Sequence, residues 1–302
     1  MSLRGRYVID RIKHTISHRL RLPVPPYGDP GYWDAAYRSF GPQDSFEWGD
    51  VSLSDVLQYE YRPIHWNDGV LPKWSSIQNN SGQDTRKSSL AEALGVYPET
   101  SSVTTMDEND SGSDTDSDSR VIKDPILMLG CGNSKLGEEM ITQGNWKGPI
   151  VQTDVSSRVI DSMSQRCSTL IENGHMNFVQ DDATELSAFR NGMMAACLDK
   201  GLLDAVYCAD ELDQCRAVLK SVHRVLRPGG TFVYFSFSRP EFMLPKILQN
   251  TTSTKTMWER IEVQELSRIL LYRFQKKQLD EESQQQQIRK LKGKKGAKRR
   301  RQ

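Results

Sequence analysis

The chain has 302 residues, enough for one large α/β domain or two small ones, and its 40 lysines and arginines nearly cancel its 39 aspartates and glutamates. The five cysteines show no CxxC spacing, which argues against a disulfide framework or a zinc site and for reduced thiols of an intracellular protein. No apolar run approaches the roughly 20 residues needed to span a bilayer, so a soluble monomer without a membrane partner is expected.

In chain order, residues 1–29 form a basic N-terminal extension. "MSLRGRYVIDRIKHTISHRLRLP" has Asp10 as its only acid, and Ile9, Ile12, Ile16 and Leu20 fall at helical spacing. This fits either an amphipathic helix packed on the domain or an organellar presequence. "PVPPYGDPGYWD" (23–34) is a turn-laden lead-in. Residues 30–74 read as a helical lid, with Trp33 and Tyr37 one turn apart and Val51 to Tyr59 amphipathic. Residues 75–120 lack apolar periodicity and end in alternating serine, threonine and acid, the composition of a disordered acidic insertion. Ser113 and Ser117 stand among carboxylates, as phosphorylation sites or as parts of a solvated spacer.

Residues 121–276 alternate short β-like runs with helical patterns, which predicts an open α/β sheet with helices on both faces. Seven strands are expected at Ile126–Leu129, Ile150–Thr153, Met176–Val179, Met194–Leu198, Thr231–Phe235, Glu259–Val263 and Ile269–Phe274, with helices over Ser157–Asn173 and Gln214–Leu226. "MAACL" is a weak strand because it lacks β-branched residues. The last two strands are joined too closely for a crossover helix and should form an antiparallel hairpin. "RPGG" (227–230) is a structural turn. Residues 277–302 form a basic disordered tail whose stretch 289–301 carries nine basic residues and no acid. Such a tail solubilises, contacts nucleic acid non-specifically or serves as a nuclear address.

The chemistry concentrates in "PILMLGCGNSKLGEEM", a strand, a loop with Gly130 and Gly132, and a helix. A dinucleotide fingerprint needs a third glycine where Lys135 stands, and no P-loop glycine-lysine-serine follows. Asp154 closes the next strand, where a carboxylate suits two vicinal ribose hydroxyls. Asp182 ends the third, where it can take an adenine amino proton beside the Ala183 amide, or simply cap a helix. Together they describe an adenosine-bearing ligand along the carboxyl edge of the sheet.

"LMLGCGNSKLGEEM", "DVSSRVIDSM", "LDKGLLDAV" and "VHRVLRPGGTFVYFS" resemble successive motifs of class I, seven-strand S-adenosylmethionine methyltransferases. More narrowly they resemble the methyltransferase-like family that includes the eukaryotic elongation factor 1-alpha lysine methyltransferases, and "YWDAAYRSF…FEWGD" is similar to that family's upstream segment. Gly49 directly after Trp48, Ala36 in place of an arginine, and the long insertion depart from the pattern.

The resemblance implies S-adenosylmethionine as cofactor, held by Gly130, Cys131, Gly132, Asn133, Asp154, Val155, Asp182 and Ala183 with Trp33 and Tyr37 as a lid. It implies methyl transfer to a lysine of a protein substrate in the cytoplasm, with elongation factor 1-alpha as the family's example. Freeing a lysine amine at neutral pH costs roughly 4 kcal/mol, and a dehydrated site beside a sulfonium reduces that cost. Asp199 is the expected acceptor-side catalytic carboxylate; its structural alternative is a pair with Lys200 or a helix cap. Two other classes stay open: a nicotinamide-dependent oxidoreductase, disfavoured by Lys135 and the terminal hairpin, and a non-catalytic scaffold binding RNA or protein.

Overall fold

The computed structural model describes residues 25–27, 29–47, 59–61, 64–65, 86–96, 124–144, 146, 148–209, 212–248, 257–266 and 269–278. The expectations for residues 1–24, 48–58, 97–123 and 279–302, which include the basic extension, the serine-acid run and the basic tail, lie outside the described residues.

The N-terminal part opens with α1 (Pro30–Ala36), followed by a 3-10 turn over Tyr37–Ser39. Asp29 caps α1 through a hydrogen bond from the Gly31 amide, and Pro30 stands at the first helical position, where a missing N–H costs nothing. Short strands β1 (Tyr59–Tyr61), β2 (Ile64–His65) and β3 (Arg86–Ser88) and helix α2 (Leu90–Leu94) follow. β1 and β3 pair antiparallel with each other.

The core then runs β4 (Ile126–Leu129), α3 (Leu136–Thr142), β5 (Ile150–Asp154), α4 (Ser157–Arg166), α5 (Ser168–Glu172), β6 (Met176–Gln180) and β7 (Met194–Lys200). It continues with α6 (Leu202–Cys208), α7 (Leu212–Val225), β8 (Leu226–Ser236), α8 (Pro240–Leu248), β9 (Trp258–Leu266) and β10 (Ile269–Lys276). The sheet order is β2-β9-β10-β8-β7-β4-β5-β6. Strands β8, β7, β4, β5 and β6 run parallel, and β10 enters antiparallel between β8 and β9. All seven expected strands are present, as is the terminal hairpin. The two-residue strand β2 adds an eighth at the edge, against β9.

Alternate residues of β4 feed two apolar clusters, Ile126 and Met128 on one face of the sheet, Leu127 and Leu129 on the other. A strand covered on both faces has to be apolar throughout, which is why β4 reads as an unbroken run. β7 forms despite its alanines because it lies between β4 and β8 with Met194 to Asp199 buried. Its propensity is overridden by position in the sheet.

Three local differences from expectation have physical causes. The helix predicted over 157–173 breaks at Cys167 into α4 and α5. Residues 227–230 lie inside β8, but Met194 pairs with Leu226 and Ala196 with Thr231, so Arg227–Gly230 bulge out of the ladder. The expected turn is thus a bulge in a longer strand, with Gly229 at φ +73°.

The third difference is a correction: residues 86–96, expected within the disordered insertion, are ordered. Ser89 caps α2 by accepting the Glu92 amide, and Gly95 closes it in the left-handed region at φ +66°. Leu90, Leu94 and Val96 are fully buried in the core cluster, and Arg273 Nε donates to the Ala93 carbonyl at 2.8 Å. The short apolar stretch LAEALGV carries enough burial to offset its ordering, in spite of its polar flanks.

Candidate active site

The carboxyl ends of β4, β5, β6 and β7 open into one cavity of about 1030 Å³, roofed by residues of the 27–46 segment. Gly130, Cys131, Gly132, Asn133, Asp154, Val155, Asp182, Ala183, Trp33 and Tyr37 all line it. The ten residues expected around a cofactor are therefore gathered at one place. Asp199 is not among the lining residues.

The glycine loop is fixed from β5. Cys131 N–H donates to the Thr153 carbonyl at 2.9 Å, and Gly132 N–H donates to Asp154 Oδ2 at 2.9 Å. The other Asp154 oxygen accepts the Ser156 amide at 2.9 Å. Asp154 is 7% exposed, and burial pushes its carboxyl above the usual range while the amides of Ser156 and Gly132 pull it back. Each oxygen still has a second acceptor direction. Gly130 and Gly132 both sit at φ +52°, and a Cβ there would lie 2.5 Å from Leu202 Cδ1 and from Tyr37 Oη, respectively. Glycine is required by the backbone conformation and by the close approach of these two side chains.

Asp182 is exposed, and its Oδ1 accepts from the Thr184 amide at 2.8 Å and the Thr184 hydroxyl at 2.7 Å. It starts a turn and not the helix that the capping alternative expected, while lining the cavity. Its neighbour Asp181 accepts the amides of Asp182, Ser187 and Ala188, which fixes this loop.

Asp199 is fully buried, and its two oxygens accept the amides of Leu202 and Leu203 at 2.8 and 2.9 Å. The expectation of an acceptor-facing carboxylate is corrected by this geometry: Asp199 caps α6 from beneath instead of facing the cavity. Burial pushes its carboxyl up to about 7, against the pull of those amides. The cavity-facing carboxylate on this side is Asp204, whose oxygens accept the Ser236 hydroxyl at 2.5 Å and the Phe237 amide at 2.9 Å. Burial holds Asp204 at about 6.

Three features escaped sequence reasoning. Arg166, on the last turn of α4, donates to the carbonyls of Asn133 and Ser134 at 3.1 and 2.8 Å and so pins the glycine loop from above. Glu47 reaches back from the roof to accept the Ser134 hydroxyl at 2.8 Å and the Lys135 amide at 2.6 Å, and it pairs with Lys200. Asp34 accepts the Ser156 hydroxyl. Asp34 and Glu47 lie within the upstream segment and Arg166 within an expected helix, but the partners are 32 to 153 residues away in sequence. His223 is half-buried edge-on against Trp258, and burial lowers it to about 4. Cys131 is buried with its thiol pushed well up, first by burial and then by Asp154, so it does no nucleophilic work.

Residues 126–230 match the family model described as a methyltransferase domain. Over 124 residues the chain is 36% identical to the eEF1A lysine and N-terminal methyltransferase of Mus musculus, covering 40% of this chain and 17% of that protein. The Homo sapiens counterpart is 33% identical over 124 residues, with 40% and 17% covered. EEF1A lysine methyltransferase 4 of Bos taurus is 31% identical over 133 residues, covering 39% of this chain and 48% of that protein. A solved SAM-dependent methyltransferase of Methanosarcina mazei has a TM-score of 0.40 at 19% identity, over 52% of this chain and 94% of that one. The chain thus spans 17% of the length of the mouse and human relatives and about half (48%) of the bovine one. Residues 126–230 thus match a methyltransferase domain, and over about 40% of its length the chain is similar to the eEF1A lysine methyltransferases.

Proposed function

We propose that this chain methylates a lysine side chain of a protein, with eEF1A, after which its relatives are named, as the first substrate to test. The supporting observation is the cavity itself, whose lining extends beyond the glycine loop to Asp204, Asp213, Phe237 and Ser238. Those residues suit a long cationic side chain brought to the cofactor.

The residues present fit S-adenosylmethionine. Asp154 keeps acceptor capacity for ribose hydroxyls, and Asp182 with Ala183 lies where adenine would sit. Asn133 Oδ1 is buried without a hydrogen-bond partner, an acceptor suited to the cofactor's ammonium. When bound, the cofactor supplies an electrophilic methyl group on a sulfonium.

The protein's part is to bind, orient and exclude water. Asp154 and Arg166 fix the glycine loop from two sides, and Trp33, Tyr37 and Phe40 form an aromatic roof. Asp204 positions the Ser236–Phe237 backbone at the acceptor wall. Asp199 acts one layer back, by holding the Lys200–Gly201 turn and the start of α6. Carboxylates around the cavity draw an ammonium in, and burial beside the sulfonium disfavours the charged amine, so its proton passes to solvent before transfer. An elongation factor as substrate places the working enzyme in the cytoplasm.

The test is to incubate the protein with labelled S-adenosylmethionine and purified eEF1A, then map the label by mass spectrometry. A methylated lysine is the expected product. Label on another residue type, or none despite cofactor binding and in a whole lysate as well, would overturn the assignment.

A further inference from the structure

Two large apolar side chains stand exposed among the described residues, Met193 and Phe242, and they lie at opposite edges of the sheet. Met193 immediately precedes β7, at the amino edge and away from the cavity. Phe242 is 63% exposed in the first turn of α8, shortly after Phe237 and Ser238, which line the cavity. A lone exposed apolar residue is ordinary. The support built under this one is not.

α8 is fastened to the cavity rim along its length. Tyr207, between the cavity-lining Val206 and Cys208, donates its hydroxyl to the Phe242 carbonyl at 3.2 Å. Ahead of the helix, the Ser238 carbonyl accepts the Tyr272 hydroxyl at 2.5 Å, and Asp204 holds Ser236 and Phe237. Toward its end, Arg216 donates to the Lys246 carbonyl at 2.9 Å and to the cavity-lining Asp213 at 2.7 Å. Met243, Leu244 and Ile247 are fully buried on the inner face. Phe242 therefore stands out from a fixed support, and a partner that covers it has little backbone to order.

Charge tells which partner fits. The cavity is lined by five aspartates, Asp154, Asp181, Asp182, Asp204 and Asp213, and among the described residues its single cation, Lys200, is paired with Glu47. Outside, one turn along α8 from Phe242, Lys246 holds its ammonium 5.4 Å from the centre of the Tyr207 ring. Arg239 and Glu241, at the start of the helix, face each other at 3.9 Å and offset one another. A nucleic acid would bring its phosphates against the aspartates. A polypeptide that sends a lysine inward, and lays an apolar and an acidic side chain on the rim, is matched at each point.

We propose that Phe242, with Tyr207 behind it and Lys246 beside it, docks the protein segment that carries the acceptor lysine. Phe242 takes an apolar side chain next to that lysine, and Lys246 takes an acidic one. Phe242 is not among the residues lining the cavity, so it selects the substrate and leaves the cofactor alone.

This inference deepens the proposed lysine methylation and rests on it. The experiment gives the full chain labelled S-adenosylmethionine and short peptides centred on one lysine, with leucine, phenylalanine, glutamate, lysine or glycine at the neighbouring positions. A single-stranded RNA and a whole lysate are run beside them. Wild-type protein that binds S-adenosylhomocysteine yet labels no peptide and no lysate protein, or labels only the RNA, would sink the lysine reading and this inference together. Lysine label in the lysate with none on any peptide, or no preference for an apolar neighbour, overturns the inference alone.

The expected result is that leucine and phenylalanine peptides exceed glycine peptides about tenfold in kcat/KM, as covering one exposed aromatic ring would give. Phe242→Ala should erase that preference through KM. Its kcat at saturation and its calorimetric affinity for S-adenosylhomocysteine should stay within about twofold of wild type, and Phe242→Leu should keep most of the preference. An equal loss on all peptides, glycine ones included, would mean that Phe242 serves only the fold. Lys246→Glu is the independent arm and should turn a preference for glutamate into one for lysine. An unchanged charge preference would overturn the part assigned to Lys246.

Discussion

The floor of the cavity, formed by the ends of β4, β5 and β7 with the glycine loop, is tied together by buried hydrogen bonds from carboxylates to backbone amides. The roof, residues 27–47, is built otherwise. α1 has no buried residue, and the segment rests on the floor through Asp34–Ser156, Asp44–Asn133, Glu47–Lys200 and a run of aromatic rings. Burial of amides in the floor makes any loss there costly, while the roof adds a few part-buried polar contacts and its helix α1 buries no residue. The floor should therefore behave as part of the folding unit, and the roof as an element that can lift.

The largest effect is expected at Asp154. Asp154→Ala leaves the Gly132 and Ser156 amides without their acceptor and removes the ribose contact. Binding of S-adenosylhomocysteine should weaken by more than about 100-fold, and stability should drop by about 3 kcal/mol at two buried amides. Calorimetry and urea unfolding measure the two separately. Binding within tenfold of wild type would mean that the ribose lies elsewhere.

Next comes the support beneath the floor. α2 packs Leu94 into the same cluster as Met128 and Leu136 of the glycine-loop strand and helix. Leu94→Ala should cost about 2 to 4 kcal/mol in urea unfolding, with cofactor affinity unchanged at low denaturant. A loss under about 1 kcal/mol would return residues 86–96 to the loose insertion that their flanks suggest.

How much of this was legible beforehand follows the same division. The floor announced itself because each of its parts is local. Gly130 and Gly132 stand directly after an apolar run, and Asp154 and Asp182 each follow their own. α2 was also legible in principle, through Ser89 three residues before Glu92 and Gly95 after the last leucine, but polar neighbours on both sides masked it. Asp199 shows the limit of strand-end reasoning. Its sequence context matches that of Asp154, and only the turn after it decides whether a carboxylate points at the cavity or back at its own helix. The roof was legible only as aromatic spacing. Its anchors join residues such as Glu47 and Lys200 that no local pattern relates, and their meeting depends on the whole sheet being in place.

Asp199 also gives the floor a pH dependence. Its carboxyl rises from the ordinary 3.8 to about 7, so between those values the folded protein holds a proton that the unfolded chain has released. The stability Asp199 carries is therefore full below pH 4 and is lost as pH rises through about 7. Asp204 acts in the same direction up to about 6, and His223, lowered to about 4, acts oppositely as pH falls below 6.5. Between pH 6.5 and 8 Lys200, which burial lowers to about 7, opposes Asp199, because the unfolded chain there holds the lysine's proton and the folded protein releases it. Asp199→Asn should therefore make stability rise more steeply with pH than in the wild type, by on the order of 1 kcal/mol across this range, even though it lowers stability at pH 6.5. An unchanged slope in the variant would mean that Asp199 is ionised throughout this range.

The smallest effect should come from the roof, and it tests the comparison most directly. Ser156 donates its hydroxyl to Asp34 while accepting the Val159 amide at the start of α4, so Asp34→Ala removes a roof contact and leaves the floor's own cap intact. One partly exposed hydrogen bond corresponds to about 1 kcal/mol, or about fivefold in the equilibrium between lowered and lifted roof. Trypsin should cut after the exposed Arg38 about fivefold faster in the variant, S-adenosylhomocysteine should slow the cut, and the melting temperature should stay within about a degree. If Asp34→Ala instead lowered the melting temperature as far as Asp154→Ala, roof and floor would unfold as one unit. The polar contacts over the glycine loop would then be part of the core instead of a clasp upon it.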